Sequence, residues 1–217
     1  MNIIDAIKQR HSVRQYLDKP IEDDILNELK NEIEECNKES RLHIQIVTNE
    51  PKAFDSFMAH YGKFSGVQNY IVLVGKKDKK LDELCGYYGE RLVLKAQQLG
   101  LNTCWVAMTY KKIPSAFVID KGEKLIVVIS LGYGKTQGTS HKIKTIEQVS
   151  NVSNDTPEWF KRGVELALLA PTAMNQQKFK INYNDGNVTL KAGVGFYSKV
   201  DLGIVKYHFE IGANRKI

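Results

Sequence analysis

The stretch from Leu81 to Met108 constrains the fold more than any other part of the chain. Leu81, Leu84, Tyr88, Leu92, Ala96 and Leu99 recur at helical spacing, and Gly100 follows where such a helix has to stop. "TCWVAM" (103–108) then reads as an apolar strand, and "KLIVVISLG" (124–132) as another. A long helix feeding buried strands needs further helices to cover the sheet, and the sequence supplies them. Ile3, Ile4 and Ile7 mark a short helix ending near Arg10. Ile25, Leu26, Leu29 and Ile33 mark a second, and "PKAFDSFMAHY" a third, opened by Pro51. Leu42, Ile44 and Ile46 alternate as a strand, and "YIVLVG" is a buried one. The order α-β-α-β-α-β-β predicts an α+β fold, a mixed sheet flanked by helices.

The polar joint "SNVSNDT" (150–156) does not introduce a new kind of domain. A helix from Pro157 to Ala170, a strand at Phe179–Tyr183, an Asp185-Gly186 turn, a strand at Val188–Leu190 and a final helix follow. This repeats the earlier order. Residues 21–47 and 156–183 both read helix, polar turn, alternating strand, while "GERLVLKAQQLGLN" parallels "DLGIVKYHFEIGAN". The expected organisation is a first half, residues 1–150, and a shortened second half, residues 151–217. The two complete one compact unit about a pseudo-twofold axis.

Composition then removes whole classes of function. With 42% hydrophobic and 26% charged residues, the 217-residue chain is an ordinary globular one. No apolar run approaches the ~18–20 residues of a membrane span, and the N-terminus lacks a signal-peptide core. Cys36, Cys85 and Cys104 are odd in number and unpaired in spacing, so a cytoplasmic location is expected. The net charge of +6 is spread over scattered lysines. "GKKDKK" and "SHKIK" are not joined to stacking aromatics, so nucleic acid is not an expected partner. The five histidines lack metal-ligand spacing, no metal is expected, and no hydrolase triad order appears. "GYGKTQG" (132–138) fails as a phosphate loop, because Ile129 stands where its first glycine is required.

Two segments remain chemically unusual. In "RHSVR", extended chain alternates faces, so Arg10, Ser12 and Arg14 are expected to project together. Two guanidiniums and a hydroxyl on one face suit a phosphate or other oxyanion, or form a solvated basic strand. "APTAMNQQ" (170–177) is uncharged but carries the Thr172 hydroxyl and amides at Asn175, Gln176 and Gln177. Such groups bind sugar hydroxyls or a heterocycle edge, or they satisfy their own loop.

Together these segments resemble the FMN-dependent nitroreductases. "IIDAIKQRHSVRQYLDKPI" is similar to that family's opening R-x-S-x-R segment. "LALLAPTAMNQQKFKI" resembles its A-x-x-A-P-S-x-x-N-x-Q-P segment, with Thr172 for serine and Lys178 for proline. "LKAQQLGLNTCWVAM" resembles its helix–glycine–strand stretch, and "SLGYGKTQGTSHKIKTIEQV" its G-Y-P and basic segment, with Gly134 for proline. Ordinary members carry the A-P-S segment some tens of residues after R-x-S-x-R, and a homodimer partner brings it to the flavin. Here that place reads "EIEECNKES", and the good copy lies in the second half. The chain therefore resembles the smaller TM-type branch, a fused pseudo-dimer.

The resemblance implies a nitroreductase-like fold and an FMN site closed within one chain. Arg10 with Lys142 or Lys144 would hold the phosphate, Ser12 the ribityl chain or phosphate, and Arg14 the ribityl or the pyrimidine edge. His11 and Trp105 fall in the same contact set. Backbone groups of Val106, Ala107 and Met108 would face flavin N5 or O4, with Pro171, Thr172, Asn175 and Gln177 on the opposite side. The implied reaction is hydride transfer from NADH or NADPH to a nitroaromatic, quinone or similar small-molecule electron acceptor, with no catalytic side chain required. A flavin-binding sensor or storage protein without turnover stays open as the alternative. The unit is expected to be a monomeric pseudo-dimer or a homodimer.

Overall fold

The longest apolar runs of the sequence become the two central strands of a sheet in the computed structural model, which describes residues 1–217. Strand β2 (Asn69–Lys76) pairs antiparallel with β4 (Glu123–Gly132). They are flanked by β1 (Gln45–Val47) on one side and β3 (Asn102–Val106) on the other, giving the order β1-β2-β4-β3. Being covered on both faces, β2 and most of β4 are buried without alternation. A separate antiparallel hairpin is formed by β5 (Phe179–Asn184) and β6 (Asn187–Ala192). The α+β expectation holds, with antiparallel named strands. Parallel neighbours enter only as single bridges, Ser12 to Thr103, Gln15 to Ser65 and Ser150 to Ile181.

The helices are α1 (Ile3–Gln9), α2 (Asp23–Ser40), α3 (Phe57–Tyr61), α4 (Leu81–Gln98), α5 (Ile146–Val149), α6 (Glu158–Ala167) and α7 (Ser198–Ala213), with short 3-10 turns at Pro51–Ala53 and Ala173–Asn175. Helix α4 ends as its sequence requires, with Gly100 at φ 80°. A core of 30 buried residues runs from Leu29 through α4 and the sheet to Phe209 and Ala213, so residues 151–217 share one interior with what precedes them. No helix is long and apolar enough to cross a membrane.

Helices α4 and α7 meet at reciprocal glycines. A Cβ on Gly86 would stand 2.9 Å from the Val200 carbonyl carbon, and one on Gly203 would stand 2.9 Å from that of Glu83. The two contacts are the same contact with the helices exchanged. This exchange pairs Gly86 with Gly203, whereas the sequence parallel between 89–102 and 201–214 pairs Gly86 with Ser198. The helical registers of the two comparisons therefore differ.

Candidate functional site

The Ser12–Thr103 bridge, with Val13 N–H donating to Thr103 O at 3.0 Å, lays the "RHSVR" segment against the free edge of β3. Period-two alternation then buries Val13 and turns Ser12 and Arg14 into a cavity of about 490 Å³. The end of β3 and its continuation, Cys104 to Thr109, form one wall. Pro171, Thr172, Ala173 and Met174 form the opposite wall. Phe196, Tyr197 and the first turns of α7 (Val200, Asp201 and Ile204) close the back. The lining is mainly apolar, with Arg14 its one cation and Asp201 its one carboxylate. Thus Ser12, Arg14, Trp105, Val106, Ala107, Met108, Pro171 and Thr172 come together in one polypeptide.

Six other residues named from the sequence do not line the cavity. Arg10 was expected beside Ser12 and Arg14, but it is the C-cap of α1 (φ −68°, ψ 121°), so strand alternation has not yet begun there. It is 3% exposed, and its Nε lies 3.8 Å from Glu90 Oε1. Burial holds its guanidinium below the ordinary arginine value, with Glu90 opposing that shift. His11 is half-buried beside the Gly138 turn. Asn175 and Gln177 turn away from the cavity to bind the chain itself. Both side-chain amides donate to Lys142 O, at 2.9 and 2.8 Å. Gln177 Oε1 accepts from the Lys144 backbone N–H at 2.8 Å, and the Lys144 ammonium donates to Gln177 O at 2.8 Å. Met174, Asn175 and Gln177 all have φ near +50°, in the left-handed region that non-glycine residues rarely occupy. Such backbone persists where surrounding bonds over-determine it, and this loop is bonded on two sides. Asp201 supplies the second side, accepting from Ala173 N–H at 2.9 Å and from the Gln176 amide at 2.7 Å. Burial raises the Asp201 carboxyl, and these two donors partly reverse the shift.

Sequence reasoning missed Tyr197, Val200, Asp201 and Ile204. Their i, i+3, i+4 and i+7 spacing on one face of the final helix was the available signal. The sequence does place His141, with Lys142 and Lys144, among the cations after "GYGKTQG" that could reach a phosphate. His141 Nε2 and Arg10 Nε are both buried without a hydrogen-bond partner. Burial, chiefly, lowers the pKa of the His11 and His141 rings, and the charge of Arg10 adds to the effect in both. An unpartnered guanidinium Nε near a ring nitrogen that becomes a donor on protonation is a pairing that an anion satisfies. Burial likewise pushes the Cys104 thiol up, which keeps it protonated against the cavity.

A family model described as "Putative TM nitroreductase" matches residues 2–213. A crystal structure from Thermotoga maritima, described as a "putative nitroreductase", superposes with a TM-score of 0.68 at 25% identity, covering 100% of this chain and 87% of that one. Two others share the fold at lower identity. A "putative nitroreductase in complex with fmn" from Desulfovibrio desulfuricans is 16% identical, with a TM-score of 0.56 over 72% of this chain and 99% of that one. A "Putative NADH dehydrogenase/NAD(P)H nitroreductase" from Bacteroides thetaiotaomicron is 20% identical, with a TM-score of 0.55 over 71% of this chain and 98% of that one. No curated protein sequence matches the chain.

Proposed function

The chain belongs to the TM nitroreductase family, and on that premise we propose that it is an FMN-dependent oxidoreductase taking hydride from NADH or NADPH and delivering it to a small-molecule acceptor such as a nitroaromatic or quinone. The observation that carries this reading is the cavity itself. An apolar slot of about 490 Å³ holds one cation, Arg14, and has unpartnered buried nitrogens, Arg10 Nε and His141 Nε2, in the neighbouring segments. A flat heterocycle with an anionic tail matches both features, whereas a wholly apolar ligand leaves those nitrogens unsatisfied.

FMN, when bound, supplies hydride acceptance and donation between the nicotinamide and the acceptor. The residues of the chain bind, orient and exclude water. Arg10, with His141 and His11, would hold the phosphate, each charge-assisted bond contributing about 1.5–3 kcal/mol. Ser12 would bond the ribityl chain. Arg14 would stand at the pyrimidine edge, where a cation favours electron-rich reduced flavin and so raises its potential. Val106 to Met108 present backbone groups along one wall, and Pro171 to Met174 close the other. Val200 and Ile204 keep the back of the slot dry. Lys142, Lys144, Asn175 and Gln177 act one step removed, by fixing the loop that carries Pro171 and Thr172. We further read the chain as a fused pseudo-dimer, with residues 1–150 and 151–217 as its full and shortened halves. The reciprocal Gly86–Gly203 crossing is consistent with that reading.

The test is the absorbance spectrum of the protein after FMN loading and desalting, followed by stopped-flow bleaching with NADH and with NADPH. Retained flavin reduced faster than free FMN is the expected result. Retained flavin reduced no faster than free FMN would make the protein a binder without turnover, and a colourless protein would overturn the cofactor.

A further inference from the structure

A buried cluster lies behind Arg10 and Trp105 that the reaction above does not use. Glu90 on α4 and His208 on α7 are both fully buried. Glu90 Oε2 accepts from the Trp105 indole N–H at 3.0 Å, while its Oε1 lies 2.8 Å from His208 Nε2 and 3.8 Å from Arg10 Nε. His208 Nδ1 is 3.1 Å from Leu166 O. A carbonyl only accepts, so Nδ1 carries a proton. A second proton lies between Nε2 and Oε1, because one of those two atoms has to donate. Whichever holds it, the pair sums to zero charge, as imidazolium with carboxylate or as imidazole with carboxylic acid.

That sum decides what Arg10 offers. A lone Glu90 carboxylate beside Arg10 would make a neutral ion pair, and a phosphate arriving from the cavity side would compete with the carboxylate for the guanidinium. With His208 cancelling the carboxylate, the geometry of the pair remains while its charge disappears. We propose that Glu90 and His208 are positioning residues: Glu90 fixes the Arg10 guanidinium and the Trp105 ring, and His208 offsets the charge of Glu90 so that Arg10 keeps its own for an external dianion. The inference rests on the FMN reading, in which that dianion is the flavin phosphate. It ties the two central helices to the cofactor site, since Glu90 comes from one and His208 from the other.

The test compares dissociation constants of FMN and riboflavin, which lacks the phosphate, by flavin fluorescence quenching in wild type, His208→Gln and Glu90→Gln. Glutamine at 208 can still donate to Glu90 but carries no charge. The preference for FMN over riboflavin is expected to fall about tenfold in His208→Gln, which leaves a full carboxylate beside Arg10, and to fall less in Glu90→Gln, which loosens Arg10 but leaves no competing charge. A purely structural role would weaken both flavins alike and leave the preference unchanged, and that result overturns the proposal. Flavin binding by wild type without any preference for FMN also overturns it, while leaving the flavin reading intact. Binding of neither flavin refutes the FMN reading, and the inference falls with it. Circular dichroism checks folding, with His208→Asn as the second variant. Nuclear magnetic resonance of the unaltered protein needs no variant. A neutral His208 ring beside an ionised Glu90 carboxylate would refute the charge cancellation directly.

Discussion

Replacing Gly86 with alanine tests whether the α4–α7 crossing is the joint on which the cavity depends. The added Cβ would stand 2.9 Å from the Val200 carbonyl carbon and overlap its oxygen, while the Gly203 Cα would be 3.2 Å away. Ordinary contact lies near 3.5 Å, so the helices would have to part by roughly 1 Å along their closest line. Overpacking of that size costs about 1–3 kcal/mol, and separating two buried helix faces adds to it. Alanine returns about 1 kcal/mol through its better helix propensity. The expected net loss is about 1–2 kcal/mol in urea denaturation at constant m-value. Gly203→Ala should cost about the same, because its Cβ meets Glu83 and Tyr87 in the equivalent way. The double variant should lose clearly less than the sum, since one separation relieves both overlaps. Additive losses, or a Gly86→Ala protein as stable as wild type, would refute this account.

Arg10→Ala should weaken FMN binding about 10- to 150-fold, against little change for the exposed Lys135→Ala; equal dissociation constants would move the phosphate elsewhere. Burial holds both the His11 and His141 rings below the ordinary histidine value in the flavin-free protein, so their contribution to stability is intact above the unfolded value and is lost as pH falls through the folded values. A bound phosphate favours the protonated rings, so FMN affinity should rise as pH falls from 8 toward 6, with proton uptake in titration calorimetry; a flat profile would exclude both rings. Gln176→Ala removes the donor to Asp201 Oδ2 and to Phe196 O, and should destabilise the protein by about 1–3 kcal/mol in urea denaturation. Mixing Arg14→Ala with Thr172→Ala under conditions of subunit exchange should not restore FMN binding, because both residues line one cavity in one chain.

Strand and helix periodicity was legible wherever a segment buries a fixed face. "KLIVVISLG", "YIVLVG" and the 81–99 helix became the elements expected of them. Leu42 and Ile44 are buried as alternation predicts, and His43 N–H already donates to Val74 O at 2.8 Å, although the regular ladder with β2 covers only Gln45 to Val47. The cavity was legible where a short motif fixes direction, as with Ser12 and Arg14 on one side of Val13. Arg10 escaped that logic because α1 ends on it, and a helix cap does not obey a period of two. Asn175 and Gln177 escaped it for a different reason. An amide binds a ligand hydroxyl or a backbone carbonyl with the same atoms, and only the fold shows that Lys142 O is within reach. The residues of α7 that back the cavity were missed because helical periodicity does not name what a face will meet.

The cavity joins Ser12 and Arg14 to Val200 and Ile204, contacts nearly the full length of the chain apart. Contacts of such sequence separation form late and slowly, since a long loop has to close before they gain anything. At about 5–20 residues per second, synthesis from the first of these residues to the last occupies on the order of ten seconds or more. During that interval the β3 edge and the apolar wall at Val106 to Met108 lack the segment that covers them. Emergence of α7 is therefore the step at which the nascent protein becomes able to hold its cofactor. A chain stalled before Tyr197 would expose that wall to chaperones, which makes flavin capture a report that translation has run through α7.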